Sequence, residues 1–203
     1  MIFAKIDFIN LLPFHIYIKK NIHSNQLKAI IEYKKSYPSF INNKFKKRKV
    51  DSAFISSIAS RNEKNLDFGI IAKNEVLSVL LIQGIEEDDF QSQTSNALAK
   101  VLGLKGKVLI GDKALRFFHD NQNLEKYDLA KEWKNKYNLP FVFAVLCFNK
   151  NKIRLEKLTK KFNKKHIKIP QYILEQYSKR SGVSKNNILE YLKKIDYTLG
   201  IKE

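Results

Sequence analysis

The sequence predicts an α/β fold, and three observations lead there. Short apolar runs rich in Val, Ile and Phe alternate with segments of helical apolar spacing, the order that builds a sheet covered by helices. Several of those runs end in small polar residues placed to open the next helix. The chain has 203 residues, 44% hydrophobic and 29% charged, which is globular composition and enough for one domain or two small lobes around a shared site.

Residues 2–9 read as a strand. Asn10-Leu-Leu-Pro13 then opens a helix to about Lys20, with Pro13 in the first turn, where its missing N–H costs nothing. Residues 29–33 form a second short strand candidate. Residues 38–47 are helical in spacing, with Phe40, Ile41 and Phe45 apolar. Residues 50–55 are a strand, and Ser56 and Ser57 cap the helix after it. Residues 68–71 and 76–82 are strands, and a helix begins near Thr94-Ser95. Residues 107–110 are a strand ending in Gly111-Asp112. Residues 114–120 and 129–137 are helices, and 141–148 is a buried strand. Three helices follow over 153–162, 170–178 and 184–194. The alternation predicts a largely parallel sheet. The acidic stretch 83–91 (QGIEEDDFQ) is a candidate crossing between lobes.

Composition excludes several classes. One cysteine, Cys147, permits neither an intramolecular disulfide nor a two-cysteine metal motif, and it reads as an inert buried thiol. The histidines at 15, 23, 119 and 166 lack metal-ligand spacing. The longest apolar run, 76–82, is interrupted by Ser78 and is too short to cross a bilayer. The N-terminal residues carry Lys5 and Asp7 and no small-residue cleavage pattern, so the cytoplasm is the expected location. The net charge is +18, which raises nucleic acid as a partner. Almost all of the excess is lysine, and asparagine rises with it, as AT-rich coding produces on a neutral surface. We therefore expect no nucleic-acid partner, although such a surface steers small polyanions.

Four polar clusters share one placement. Asn10 follows the first strand, Ser56 and Ser57 the strand 50–55, and Gly111 and Asp112 the strand 107–110, while Thr94 and Ser95 open a helix. Ligands of open α/β sheets sit beyond the strand carboxyl ends, where helix N-termini offer free N–H groups and a positive dipole end. Such a site suits a carboxylate without arginine. Ser78, inside an apolar strand, must find a partner or face a cleft. Taken singly, the serines and threonine are ordinary caps, Asp112 a helix start, Ser78 a core serine and Asn10 a turn residue. Their shared placement is what favours a site.

Eight segments in chain order carry a resemblance: Ile6-Asp-Phe-Ile-Asn-Leu-Leu-Pro13, Val50-Asp-Ser-Ala-Phe-Ile-Ser-Ser57, Val76-Leu-Ser-Val79, Ser92-Gln-Thr-Ser95, Ile110-Gly-Asp-Lys-Ala-Leu115, Asp128-Leu-Ala-Lys-Glu-Trp133, Leu139-Pro-Phe-Val-Phe-Ala144 and Tyr191-Leu-Lys-Lys-Ile-Asp-Tyr197. Together they resemble the chorismate dehydratases of the futalosine route to menaquinone. The Ser-Pro-Cys-Pro-Asn-type opening of the sister enzyme is absent. The resemblance implies a two-lobed fold like a type II periplasmic binding protein, with the cleft between lobes. Lobe one is then 1–83 plus 145–203 and lobe two 84–144, with crossings near 76–82 and 141–148. The family is usually longer between the Thr-Ser helix and the Ile-Gly-Asp strand, so lobe two is trimmed here. The usual glycine ahead of the Ser78 strand is replaced within Ala72-Lys-Asn-Glu-Val76.

The implied reaction takes chorismate to 3-[(1-carboxyvinyl)oxy]benzoate and water, with no cofactor or metal. Asn10 would hold the leaving hydroxyl, and Ser78 would position or relay a proton. Ser56, Ser57, Thr94 and Ser95 would grip carboxylates, and Asp112 would orient the site. Neither Asn10 nor Ser78 is a good base, which leaves a substrate carboxylate or Asp112 as proton acceptor. Trp133 reads as packing, His15 as packing within reach of the site, and Phe14 and Tyr17 as cleft wall. Two alternatives stay open: a ligand-responsive DNA-binding regulator, from the two helices around Arg180-Ser-Gly-Val-Ser184, and a non-catalytic carboxylate-binding protein.

Overall fold

The computed structural model describes residues 2–199 and contains two sheets. The larger takes β1 (Phe3–Ala4), β2 (Ser52–Ser56), β7 (Phe141–Phe148), β3 (Asn65–Ala72) and β8 (Ile195–Thr198), in that order across the sheet. The smaller is β5 (Lys107–Ile110), β4 (Val79–Ile82) and β6 (Lys126–Asp128). Around them lie α1 (Leu12–Asn21), α2 (Asn25–Tyr33), α3 (Pro38–Lys46), α4 (Gln93–Leu102), α5 (Gly111–Asp120), α6 (Leu129–Tyr137), α7 (Lys152–Lys160), α8 (Gln171–Ser181) and α9 (Lys185–Lys193). The fold is α/β in two lobes. No helix among the described residues is long and apolar enough to cross a membrane.

The sheet is not largely parallel. Only β1 and β2 run parallel among its paired strands. β7 enters between β2 and β3 and opposes both, with Ala53 level with Cys147 and Gly69 with Val145. β4 likewise opposes both its neighbours. Hydrophobic periodicity marks a strand as buried but carries no direction. β7 returns from the smaller sheet, and that return sets the antiparallel pairing.

Three local expectations change. Residues 29–33 belong to a helix, capped by Ser24, whose Oγ accepts from Leu27 N, and Leu27, Ile30 and Ile31 share one helical face. The first strand is short: after Ala4, Ile6 makes an isolated bridge to Ser36, and a 3-10 turn follows at Ile9–Leu11. The acidic stretch 83–91 does not cross between sheets. Glu87 bridges to Lys107, beside β5, and Gln91 O accepts from Ser39 N of α3. The chain leaves the larger sheet ahead of β4, because Val79–Ile82 pairs within the smaller one.

Helix α1 packs on the larger sheet through a ring cluster. Phe14 lies 5.3 Å from Phe54, 5.2 Å from Phe68 and 5.4 Å from Phe162 between ring centroids. Tilted and edge-on pairs add about 0.5–1.5 kcal/mol each beyond burial. Phe14 is therefore core, not cleft wall. Tyr17 is buried too, its hydroxyl donating to Leu158 O at 2.9 Å. Cys147 is fully buried, and burial pushes its thiol up to about 12, so it is unreactive. Trp133 packs on Tyr137 and Phe141.

His15 is buried, and its Nε2–H donates to Ile6 O at 2.9 Å. Burial, then the charge of Lys5, lowers its pKa from 6.5 to about 4. Between those values the unfolded chain binds the extra proton and the folded one does not. Stability therefore falls as pH drops from 6.5 towards 4, by up to about 3 kcal/mol. Urea titrations at pH 7 and 4.5 are expected to show this loss in the wild type. His15→Gln should flatten it, and an equal slope in that variant would assign the loss to other groups.

Candidate active site

The cleft between the two sheets collects residues from distant parts of the chain. Asn10 comes from the turn before α1, Ser56 from the end of β2, Ser78 from the segment entering β4, and Ser92 and Ser95 from the start of α4. Phe8, Ile110 and Phe143 supply apolar wall. Counted to its open mouth, the cleft offers about 570 Å³. Among the described residues that line it, none is charged.

The N-termini of α4 and α5 both reach this space. Ser92 caps α4, its Oγ accepting from Ser95 N at 3.2 Å and lying 2.9 Å from Ser95 Oγ. Gly111 opens α5, and its N–H donates to Ser78 O at 2.8 Å. At Gly111 φ is +65°, and a Cβ would sit 2.9 Å from the Phe8 ring, so only glycine fits. Two ten-residue helices thus turn their positive dipole ends toward an uncharged cleft, with Ser95 N–H held by Ser92 Oγ and Gly111 N–H by Ser78 O. Helix N-termini can recognise anions without a lysine or arginine.

Sequence comparison decides the family. A family model described as menaquinone biosynthesis matches residues 95–203. A Campylobacter jejuni protein named chorismate dehydratase is 47% identical over 201 residues, covering 97% of this chain and 89% of that relative. The chain belongs to the menaquinone-biosynthesis family. Among solved structures, an Archaeoglobus fulgidus protein is similar at TM-score 0.47 and 10% identity, over 94% of this chain and 96% of that one. A Candida albicans gene product with the generic periplasmic binding protein fold is similar at TM-score 0.40 and 13% identity, over 96% and 80%.

In this family member the expected site residues separate into two groups. Asn10, Ser56, Ser78 and Ser95 line the cleft. Asn10 Oδ1 is buried without a partner among the described residues, and the main-chain oxygen of Asn10 accepts from Tyr197 Oη. Ser78 Oγ lies 2.8 Å from Tyr191 Oη. Ser56 does not cap through its side chain. Its Oγ accepts from Asn42 Nδ2, and its N–H donates to Asn42 Oδ1.

Ser57, Thr94 and Asp112 lie outside the lining. Thr94 Oγ1 accepts from Ile58 N at 3.3 Å and is 3.5 Å from Ser57 Oγ, which fastens the 3-10 turn after β2 to α4. Asp112 stands behind the wall. Its Oδ1 accepts from Ile9 N at 2.9 Å, and its Oδ2 pairs with Arg180 at 2.9 Å. Burial raises the Asp112 pKa, against the opposing pull of the Ile9 N–H and Arg180. Both oxygens are engaged, so its geometry is that of a brace for the Asn10 turn.

Four residues that shape this site lie outside the set the sequence singles out. Ser92 was visible as the first serine of Ser-x-x-Ser before an apolar run. Asp128 accepts from four backbone N–H groups, at Val76, Leu77, Ala130 and Lys131. Tyr191 and Tyr197 reach the site from the far end of the chain, and no local pattern announces a contact across 113 or 187 positions.

Proposed function

We propose that this chain removes water from chorismate to form 3-[(1-carboxyvinyl)oxy]benzoate, a step of menaquinone biosynthesis. The observation that carries the reading is the 47% identity to a chorismate dehydratase over 97% of the chain. The uncharged cleft, with two helix N-termini beside hydroxyl side chains, supports it as a place for a dicarboxylate.

In this reading the reaction breaks a ring C–H bond and the neighbouring C–OH bond. The proton and hydroxide leave as one water, and the electron pair closes the aromatic ring. Aromatisation supplies the driving force, so the protein must orient the substrate, provide for the proton and aid the departing hydroxyl. Asn10 meets that hydroxyl with its amide. Ser78 holds a substrate oxygen. Ser56, Ser92 and Ser95 face the carboxylates with α4 and α5, while Ser57, Thr94 and Asp112 keep the walls in register. Among the described residues no charged side chain lines the cleft, which makes a substrate carboxylate the nearest base. Each lobe carries one sheet, and β4 goes with the smaller.

The test is to incubate purified protein with chorismate and follow products by absorbance and mass. Loss of 18 mass units to an aromatic product is expected. Unchanged chorismate from folded protein, together with salt-sensitive binding to duplex DNA, would favour a regulator instead.

A further inference from the structure

Two hydroxyls meet behind the cleft wall, and only one of them can reach a ligand. Ser78 lines the cleft. Tyr191 on α9 does not, and it is only 2% exposed. Their oxygens are 2.8 Å apart, and neither has another side-chain hydrogen-bond partner among the described residues. One hydrogen lies between them, so the pair has two arrangements. If Ser78 donates, the Tyr191 O–H is left in the core without an acceptor, at a cost of about 1–3 kcal/mol. If Tyr191 donates, the Ser78 O–H is free to turn into the cleft, where a substrate oxygen can accept it. The second arrangement satisfies both groups. Burial pushes the Tyr191 phenol up, so it keeps the proton this requires.

We propose that Tyr191 is a positioning residue for the dehydration: it donates to Ser78 Oγ and thereby fixes Ser78 as a hydrogen-bond donor to the substrate. The inference rests on the function proposed above. It assigns Ser78 a single role, donation, in place of the choice between positioning and relaying a proton. It also gives the Tyr191–Tyr197 segment a purpose, since Tyr197 Oη in turn donates to the main-chain oxygen of Asn10.

The test compares the wild type, Tyr191→Phe, Ser78→Ala and the double variant with chorismate. Tyr191→Phe is expected to lower kcat about 10- to 100-fold, with KM within about threefold of wild type, the size of effect a loosened catalytic group produces. In the Ser78→Ala background the same change should have no further effect on kcat. The double variant leaves neither hydroxyl unpaired, so it reads the coupling even where the single tyrosine variant folds poorly. A Tyr191→Phe enzyme as fast as wild type would overturn the proposal. So would a double variant tenfold slower than Ser78→Ala. A wild type that leaves chorismate unchanged would instead remove the dehydration reading, and this proposal with it.

Discussion

Asn10→Ala is expected to lower kcat for chorismate by about 10²- to 10³-fold, the usual effect of deleting one preorganised polar group at the reacting centre. The backbone around Asn10 is already held. Ile9 N–H is fixed by Asp112, and the Asn10 carbonyl is fixed by Tyr197. Only the side chain is left to the ligand, and its Oδ1 is buried with no partner among the described residues. An unpaired buried acceptor destabilises the free protein. The same substitution should therefore leave Tm unchanged or raise it slightly. Loss of turnover with a retained or higher melting point distinguishes a group kept for a substrate from one kept for the fold. Turnover within threefold of wild type would remove Asn10 from the reaction.

The second large effect is on stability. Asp128→Ala is expected to cost about 3–5 kcal/mol and to lower Tm by roughly 10 °C. One carboxylate oxygen accepts from Val76 N at 2.9 Å and Leu77 N at 2.6 Å, and the other accepts from Ala130 N and Lys131 N at the start of α6. Alanine leaves the first two donors buried and unpaired and removes a helix cap as well. Leu77 is held at φ +59°, a conformation a leucine adopts only under constraint, and the Asp128 contact is what constrains it. Ser78 is the next residue, so kcat should also fall at temperatures where the variant is folded. Asp128→Asn keeps an acceptor and the cap and should lose about half as much. Thermal melts and urea titrations check both variants, and a fall in Tm under 3 °C for alanine would show that the two N–H groups find other partners.

The limits of sequence reading follow the same physics. The strands 107–110 and 141–148 are legible to the residue, since their short length and Val- and Phe-rich make-up favour a strand over a helix. The helix at 29–33 reads as a strand in sequence because Ala-Ile-Ile within a short run suits either period, and Ser24, the deciding cap, lies five residues upstream. β6 and β8 were missed because three or four mixed residues carry no period. Within the site, Asn10, Ser56, Ser78 and Ser95 stood out as polar residues at element ends or inside an apolar strand. Ser57, Thr94 and Asp112 share that local signature yet lie outside the lining, because one turn of backbone decides which of two adjacent side chains faces in. Tyr191, the partner of Ser78, and Arg180, the partner of Asp112, come from a region whose own pattern says only helix.

The uncharged cleft sits inside a protein of net charge +18. That contrast separates arrival from retention. On the proposed reading, the lysine field acts over about a Debye length and hastens the approach of a dianion, while helix dipoles and hydroxyls do the holding. Added salt should then slow encounter and leave residence time nearly untouched. On the same reading, with no lysine or arginine among the described residues that line the cleft, a flat aromatic dianion meets no point charge it must break from on the way out, and turnover need not wait on departure.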